Sequence, residues 1–383
     1  MGFGQGFVKM VMTGIREREE VLSSPRLSDR RGRFGGVVVI GGANIDLRGR
    51  PAGVALERHT SNPGRISVDS GGVGRNIAHN LALLNVPVTL LSAVGDDGEG
   101  IRILEETGKA GVRMEQMIIS GEHPTGIYLA ILDEKGEMEV AVSDMQILEE
   151  ITVEYLRSKA YLIRESKIVV MDTNIPEESI EYVMDLCNKV KVPILVEPVS
   201  VEKAKKLRKI LDGSGRVKGS RKGRGSGKWI IDYITPSRDE LRSILGAEVE
   251  RDNDEDEGID INVMRASEEL RRKGAKNVIV TLGERGIYVS CGGAGEGKKE
   301  DCWSKFMASY RGEVVDVTGA GDALVAGLVY GIYNGYSLEM AARFGLGAAA
   351  LTISTKEAVR RDLREGLLRS RIEEEEKEGG RLL

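Results

Sequence analysis

VVDVTGAGDALVAGLVYG, residues 314–331, sets small residues, a threonine and an acid at the point where a chain turns into a helix. Gly319, Ala320 and Gly321 leave consecutive backbone N–H groups uncovered, and the apolar run 323–329 reads as the helix they open. The first turn of a helix has N–H groups without intrahelical partners and the positive end of the helix dipole, so it attracts anions. Asp322 falls in that turn. A carboxylate beside a phosphate is explained if it takes a proton from an attacking hydroxyl. A capped, glycine-rich helix start is the competing reading of GAG-D taken alone.

Val37–Ile40 is a β-branched run, VVVI, that ends in Gly41 and Gly42 and carries Asn44 and Asp46 past its carboxyl end. Ligands of open α/β sheets bind at that end of the strands. Asn44 and Asp46 are two apart, so extended chain turns both to one side, where they suit adjacent hydroxyl groups. A strand-to-turn junction held by its own Asx hydrogen bonds is the plainer alternative. The turn SNPG at 61–64, with Asn62, leads through a short alternating strand to SGGVGRN at 70–76, which opens a helix. Gly71 and Gly72 permit close backbone approach, and Asn76 offers a donor and an acceptor. A dinucleotide reading of Gly72-Val73-Gly74 fails, because the full GxGxxG and a long buried strand before it are missing.

Residues 86–94 read as a second strand, and GDDG at 95–98 starts a helix ending near Gly111. Gly126–Leu132 and 137–142 alternate about a turn at 133–136, the pattern of a hairpin, flanked by Thr125 and Asp144. IVVMD running to Asn174, PILVEP to Ser200, IIDYITP to Glu240 and NVIVTLGERGIY then repeat strand and helix. That alternation is what a doubly wound, mostly parallel sheet flanked by helices requires.

DVTGAGDALVAG, the N-x-D after the first strand and GGVGRN together resemble the signatures of the ribokinase-like, or PfkB-type, carbohydrate kinases. SNPGRI, GGVGRNIAHNLALL, LLSAVGDD and TGIYLAILDEKGEM resemble the branch of that family that phosphorylates pseudouridine. The resemblance runs from Val37 to Ile353 and implies an α/β, ribokinase-like domain over 36–365 with a small β lid at roughly 47–70 and 123–143. It implies ATP and Mg2+ as cofactors, a nucleoside as the small-molecule substrate, and a homodimer formed through the lid. Asp322 would be the catalytic base and Gly319, Ala320 and Gly321 the anion hole. Asn44, Asp46, Gly71, Gly72, Asn76 and Asn174, with Asn62 and Thr125, would surround the nucleoside. Thr281, Gly283, Gly286, Thr318 and Ser237 would meet the nucleotide, and Glu240 and Asp316 the metal. Asp316 and Thr318 would also shape a site for a monovalent cation such as K+. The chain departs from the family at 237–240, where N-x-x-E is expected and Ser237 replaces the asparagine while Glu240 is retained. The motifs do not choose among pseudouridine, another nucleoside and a sugar such as ribose. A non-catalytic nucleoside-binding protein is a further alternative, against which the intact Asp322 and its glycines argue.

Composition narrows the partners. With 383 residues, 41% hydrophobic, the chain can bury a full core. A formal net charge of -5 gives no electrostatic reason for nucleic acid or an anionic membrane, and 4% aromatic content leaves few stacking platforms for bases. No apolar run approaches the roughly 18 to 20 residues that span a bilayer. Cys187, Cys291 and Cys302 are far apart with no CxxC, which argues against zinc and against a disulfide framework. The expected compartment is the cytoplasm, or an organelle if 1–35, otherwise a mobile extension, is a targeting segment; REREE within it is acidic for that role. The basic Gly/Ser run 212–228 reads as a flexible insert, and 251–260 as a solvated acidic loop lacking the Gly and terminal Glu of a calcium loop. Residues 366–383 read as a charged tail.

Overall fold

All four residues of Val37–Ile40 (β1) are fully buried, as a central parallel strand covered by helices on both faces must be. The computed structural model describes residues 35–53, 55–212, 229–246, 261–292 and 303–379. Residues 1–34, 213–228 and 251–260, for which an extension, a basic insert and an acidic loop were expected, lie outside the described residues.

In chain order the strands that follow are Asn44–Pro51 (β2), Gly64–Gly71 (β3), Val88–Leu91 (β4), Ala93–Gly95 (β5), Ile118–Ser120 (β6), Gly126–Leu132 (β7) and Met138–Asp144 (β8). Ile168–Asp172 (β9), Ile194–Glu197 (β10), Ile231–Ile234 (β11), Ala275–Thr281 (β12), Ile287–Cys291 (β13) and Ser304–Met307 (β14) complete them. Eight strands form the main sheet in the order β14-β13-β12-β11-β10-β9-β1-β4. From β4 to β12 neighbours run parallel, and β13 and β14 add an antiparallel edge. Val37 and Val39 face a core shared with helices Val73–Leu83, Ala320–Tyr333 and Leu338–Ile353. Val38 and Ile40 face the opposite core, with helices Glu177–Val190, Val201–Leu211 and Arg238–Leu245. The period of two along β1 thus feeds both layers, and the doubly wound expectation holds.

Three expectations change. The strand expected over 86–94 is two strands, because β1 ends where the Gly41 N–H takes the Leu91 carbonyl at 3.2 Å. The chain then needs a new partner, and the Ile118 N–H supplies it by donating to the Ser92 carbonyl at 2.9 Å, so β5 leaves the main sheet to pair with β6. The second hairpin strand is Met138–Asp144 instead of 137–142, since the Asp133 carboxylate holds the turn by accepting the N–H groups of Lys135 and Glu137 at 2.9 and 2.7 Å. The charged tail expected from 366, a charged helix end, is helix Glu365–Gly379, and it is docked, with Leu368 and Ile372 buried in the first core. Their spacing of four puts both on one face, so the acidic run between solvated positions disguised a docked helix.

A separate four-stranded sheet runs β3-β2-β7-β8. Its β2 and β7 are parallel and the outer pairs antiparallel. On one face Asp46 lies opposite Asp69 and Tyr128, with Asn44 and Arg48 along the same strand. On the other, Leu47 lies opposite Val68 and Leu129, and Leu129 opposite Val142. No helix among the described residues is long and apolar enough to cross a membrane.

Candidate active site

Asp322 stands in the first turn of Ala320–Tyr333, and Asn76, in helix Val73–Leu83, donates its side-chain amide to an Asp322 oxygen at 2.8 Å. Two motifs remote in sequence therefore meet in one hydrogen bond. The helix begins three residues before the expected 323, on Gly319 in the left-handed region at φ 78°. A Cβ there would lie 2.0 Å from the Ala358 carbonyl, so only glycine fits. Gly321 has open space around its Cα, and Ala320 follows the turn with its N–H bonded to the Val317 carbonyl at 3.2 Å.

The amide of Asn76 has a fixed direction. Arg75 donates from one guanidinium nitrogen, Nη1, to Asn76 Oδ1 at 3.1 Å and to the Ser70 carbonyl at 2.9 Å, which leaves the Asn76 NH2 to face Asp322. Burial pulls the Arg75 pKa down to about 10.

Asp172, at the end of β9, ties the surrounding loops. Its carboxylate accepts the N–H groups of Gly42, Gly74 and Asn174 at 2.8, 2.9 and 2.9 Å. Gly72 packs against the same turn; it is at φ 97°, and a Cβ would lie 2.5 Å from the Gly42 carbonyl. Asn44 and Asp46 do share one side, and they are bonded to each other, Asn44 Nδ2 donating to Asp46 Oδ1 at 2.6 Å. The Asx contact of the plainer alternative is thus real, and it leaves the second Asp46 oxygen against Gly71. The side chain of Asn174 accepts from the Lys203 ammonium.

Burial raises the Asp322 pKa to about 7, the Asn76 bond opposing and the charges of Asp172 and Asp46 adding to the rise. Asp46 is also raised, first by burial and against its Asn44 bond. A carboxyl that changes charge near neutrality at a helix N-terminus is suited to accept and release a proton.

A second group gathers at the ends of β10, β11 and β12. Ser237 caps helix Arg238–Leu245 in a reciprocal box: its N–H donates to the Glu240 carboxylate at 2.7 Å, and the Glu240 N–H donates to Ser237 Oγ at 3.3 Å. Ser237 is thus occupied as a helix cap, a role that asparagine would fill equally well. Thr281 bridges to Ser237, its N–H on the Pro236 carbonyl at 2.9 Å. Gly283 has open space, whereas a Cβ on Gly286 would strike the Met307 carbonyl at 2.2 Å, so that glycine is required by packing. Glu197, at the end of β10, accepts from the Thr235 hydroxyl, and burial together with Glu240 raises its pKa well above the usual carboxyl value.

Two expected site residues are engaged elsewhere. The Asn62 side chain bonds the backbone N–H and carbonyl of Glu57, both at 2.8 Å, inside its own loop. Thr125 spends its hydroxyl proton on Asp97 at 2.6 Å and accepts the Gly95 N–H at 2.9 Å, bracing β5 against β7. Thr318 and Asp316 adjoin the Gly319 turn and carry the Arg48 guanidinium, with Asp316 Oδ2 at 2.9 Å and Thr318 Oγ1 at 3.3 Å. Among the described residues no group of three or more His, Cys, Asp or Glu side chains forms a metal cage. Arg75, Asp172 and Glu197 were not singled out from sequence. Asp172 and Glu197 had one signal, an acid closing an apolar strand.

Residues 35–222 and 228–363 match the model of the pfkB family carbohydrate kinases. The chain is 35% identical over 318 residues to the pseudouridine kinase of Escherichia coli, covering 83% of this chain and 90% of that protein. A putative sugar kinase from Clostridium perfringens has the same fold at TM-score 0.69 and 27% identity, over 89% of this chain and 96% of that one. The ribokinase of Arabidopsis thaliana, complexed with ribose and ATP, superposes at TM-score 0.69 with 22% identity, over 88% of this chain and 98% of that one. The architecture is thus ribokinase-like, with a mostly parallel sheet between helices.

Proposed function

The chain belongs to the pfkB family of carbohydrate kinases, a family of phosphotransferases, and from that premise we propose that it transfers the γ-phosphoryl group of ATP to the 5'-hydroxyl of pseudouridine. The observation that carries the reading is the Asn76 to Asp322 bond at the N-terminus of Ala320–Tyr333, with Asp322 poised near pH 7. Asp322 takes the hydroxyl proton, the freed oxygen attacks the γ-phosphorus, and the bond to the bridging oxygen of ADP breaks. The first-turn N–H groups of Ala320–Tyr333, where Gly321 leaves open space at its Cα, receive the charge on the transferred group. Asn44 and Asp46 hold the ribose hydroxyls from the β2 side, while Asp172 keeps Gly42 and Gly74 in place beneath them. Thr281, Ser237 and Gly283 line the nucleotide side.

Glu240 and Glu197, both raised in pKa by burial and Glu197 further by the Glu240 charge, would hold a magnesium ion, whose positive charge would relieve that cost. Such an ion would supply positive charge to the nucleotide phosphates. The likeness to the Escherichia coli pseudouridine kinase supports this acceptor, and ribose, which the Arabidopsis enzyme binds, is the second reading. The four-stranded sheet serves as the lid. Its outer apolar face, with Ile66 74% and Val142 62% exposed, suits a homodimer. ATP turnover against pseudouridine, uridine, adenosine, ribose and fructose 6-phosphate tests the substrate. The expected result is a preference for pseudouridine in kcat/KM; a preference for any other of the five overturns it.

A further inference from the structure

Arg48 joins two parts of the molecule that the sequence separates widely. It belongs to β2, and its guanidinium reaches Asp69 of β3 at 2.9 Å with one nitrogen and Asp316 at 2.9 Å and Thr318 at 3.3 Å with another. Both oxygens of Asp316 are then engaged: one takes Arg48, and the other takes the Thr318 N–H at 2.8 Å. The same loop is held from behind, where the N–H groups of Val315 and Asp316 both donate to the Ile353 carbonyl at 2.8 and 3.2 Å. The side chain of Arg48 is only 17% exposed, and its Nε is buried without a hydrogen-bond partner, so the fork is held in place by its carboxylates.

This arrangement does not fit a monovalent cation at Asp316 and Thr318. Such an ion needs several free oxygens, and here the two side-chain oxygens facing it are engaged by a fixed positive charge. We propose that Arg48 is a built-in cation: it takes the position in which an ion would neutralise Asp316, and it fastens the four-stranded sheet to the loop that leads into Gly319–Gly321. Ordering of that sheet and ordering of the N–H groups at 319–321 then become one event, independent of potassium. The lowered pKa of Asp316, where burial is outweighed by its bonds to Thr318 and Arg48, agrees with a permanently charged pair.

The inference rests on the kinase reading only in naming what the N–H groups receive. Amide exchange of the full-length chain tests it with no acceptor substrate, in KCl against choline chloride at equal ionic strength. For the unaltered chain, exchange in 314–320 is expected to be the same in both salts. In Arg48→Met, exchange in 314–320 and in β2 should rise on the order of tenfold in choline chloride, the loss of a charge-assisted hydrogen bond. KCl should then restore protection in 314–320 but not in β2. Potassium-specific protection of 314–320 in the unaltered chain overturns the proposal, as does unchanged exchange in Arg48→Met. Arg48→Lys guards against misfolding, because lysine keeps the charge without a fork that spans Asp69 and Asp316. It should show the rise in β2; wild-type exchange there removes the fastening role. Lack of turnover with pseudouridine would leave these exchange results standing.

Discussion

Asp322 has to be costly to be useful. Its carboxyl holds a proton up to about pH 7 in the folded chain, against a usual value of 3.8. A base is active only when deprotonated, so kcat/KM should fall tenfold per pH unit on the acid side of about 7, as read from a pH–rate profile. The stability consequence has the opposite sign. The folded state binds this proton more tightly than the unfolded state, so stability is lost as pH rises from about 4 to about 7. Asp322→Asn should therefore lower kcat by about 10² to 10⁴ while raising Tm above pH 7, a pair of outcomes that a purely structural residue would not give. Asn76→Ala removes the one bond that favours the charged carboxylate, so the acid limb should move to higher pH. Sequence disclosed Asp322 and Asn76 because each sits in a dense local motif. Arg75 was within the same SGGVGRN stretch and was passed over, since its task of aiming the Asn76 amide exists only once Ser70 and Asn76 are brought to one guanidinium.

Elements show a similar division between local and tertiary causes. The cap at Ser237 is local chemistry, S-x-x-E, and Ser237→Ala should lower stability by about 1 kcal/mol, measurable by denaturant unfolding. Asparagine, itself a good cap, should leave stability within a few tenths of a kcal/mol. Equal losses in both variants would show that the box is not what holds that helix start. The parallel strands were legible from their β-branched runs and flanking glycines. The break between β4 and β5 was not, because nothing in the 86–94 run records that β1 stops and that Ile118 arrives to take over. The docked helix Glu365–Gly379 was hidden for a related reason: two apolar contacts per helix face are outvoted by charge until the surface they cover is known.

At the scale of the whole molecule, the two motif clusters and the βα alternation carried the fold, and the separate four-stranded sheet is built from 44–51, 64–71, 126–132 and 138–144. The resemblance implied a dimer through this sheet, but which face would carry the contact was not legible, since alternation alone does not say which side is covered. Val142→Lys places charge at a position 62% exposed, so its direct effect on folding should stay within about 0.5 kcal/mol. If the homodimer forms through this face, sedimentation should show Val142→Lys as a monomer where the unaltered chain is a dimer. An unshifted dimer would place the contact elsewhere.

One carboxylate, Asp172, receives N–H groups from the turn after β1, the start of helix Val73–Leu83 and the turn after β9. Three loops anchored to a single atom pair have no independent exits. Loosening any one strands a desolvated charge among the other two, so fluctuations that open the acceptor side of the cleft must be concerted and correspondingly rare. The floor of the cleft is accordingly expected to act as one plate, its three turns exchanging their amide protons together, under whatever moves above it.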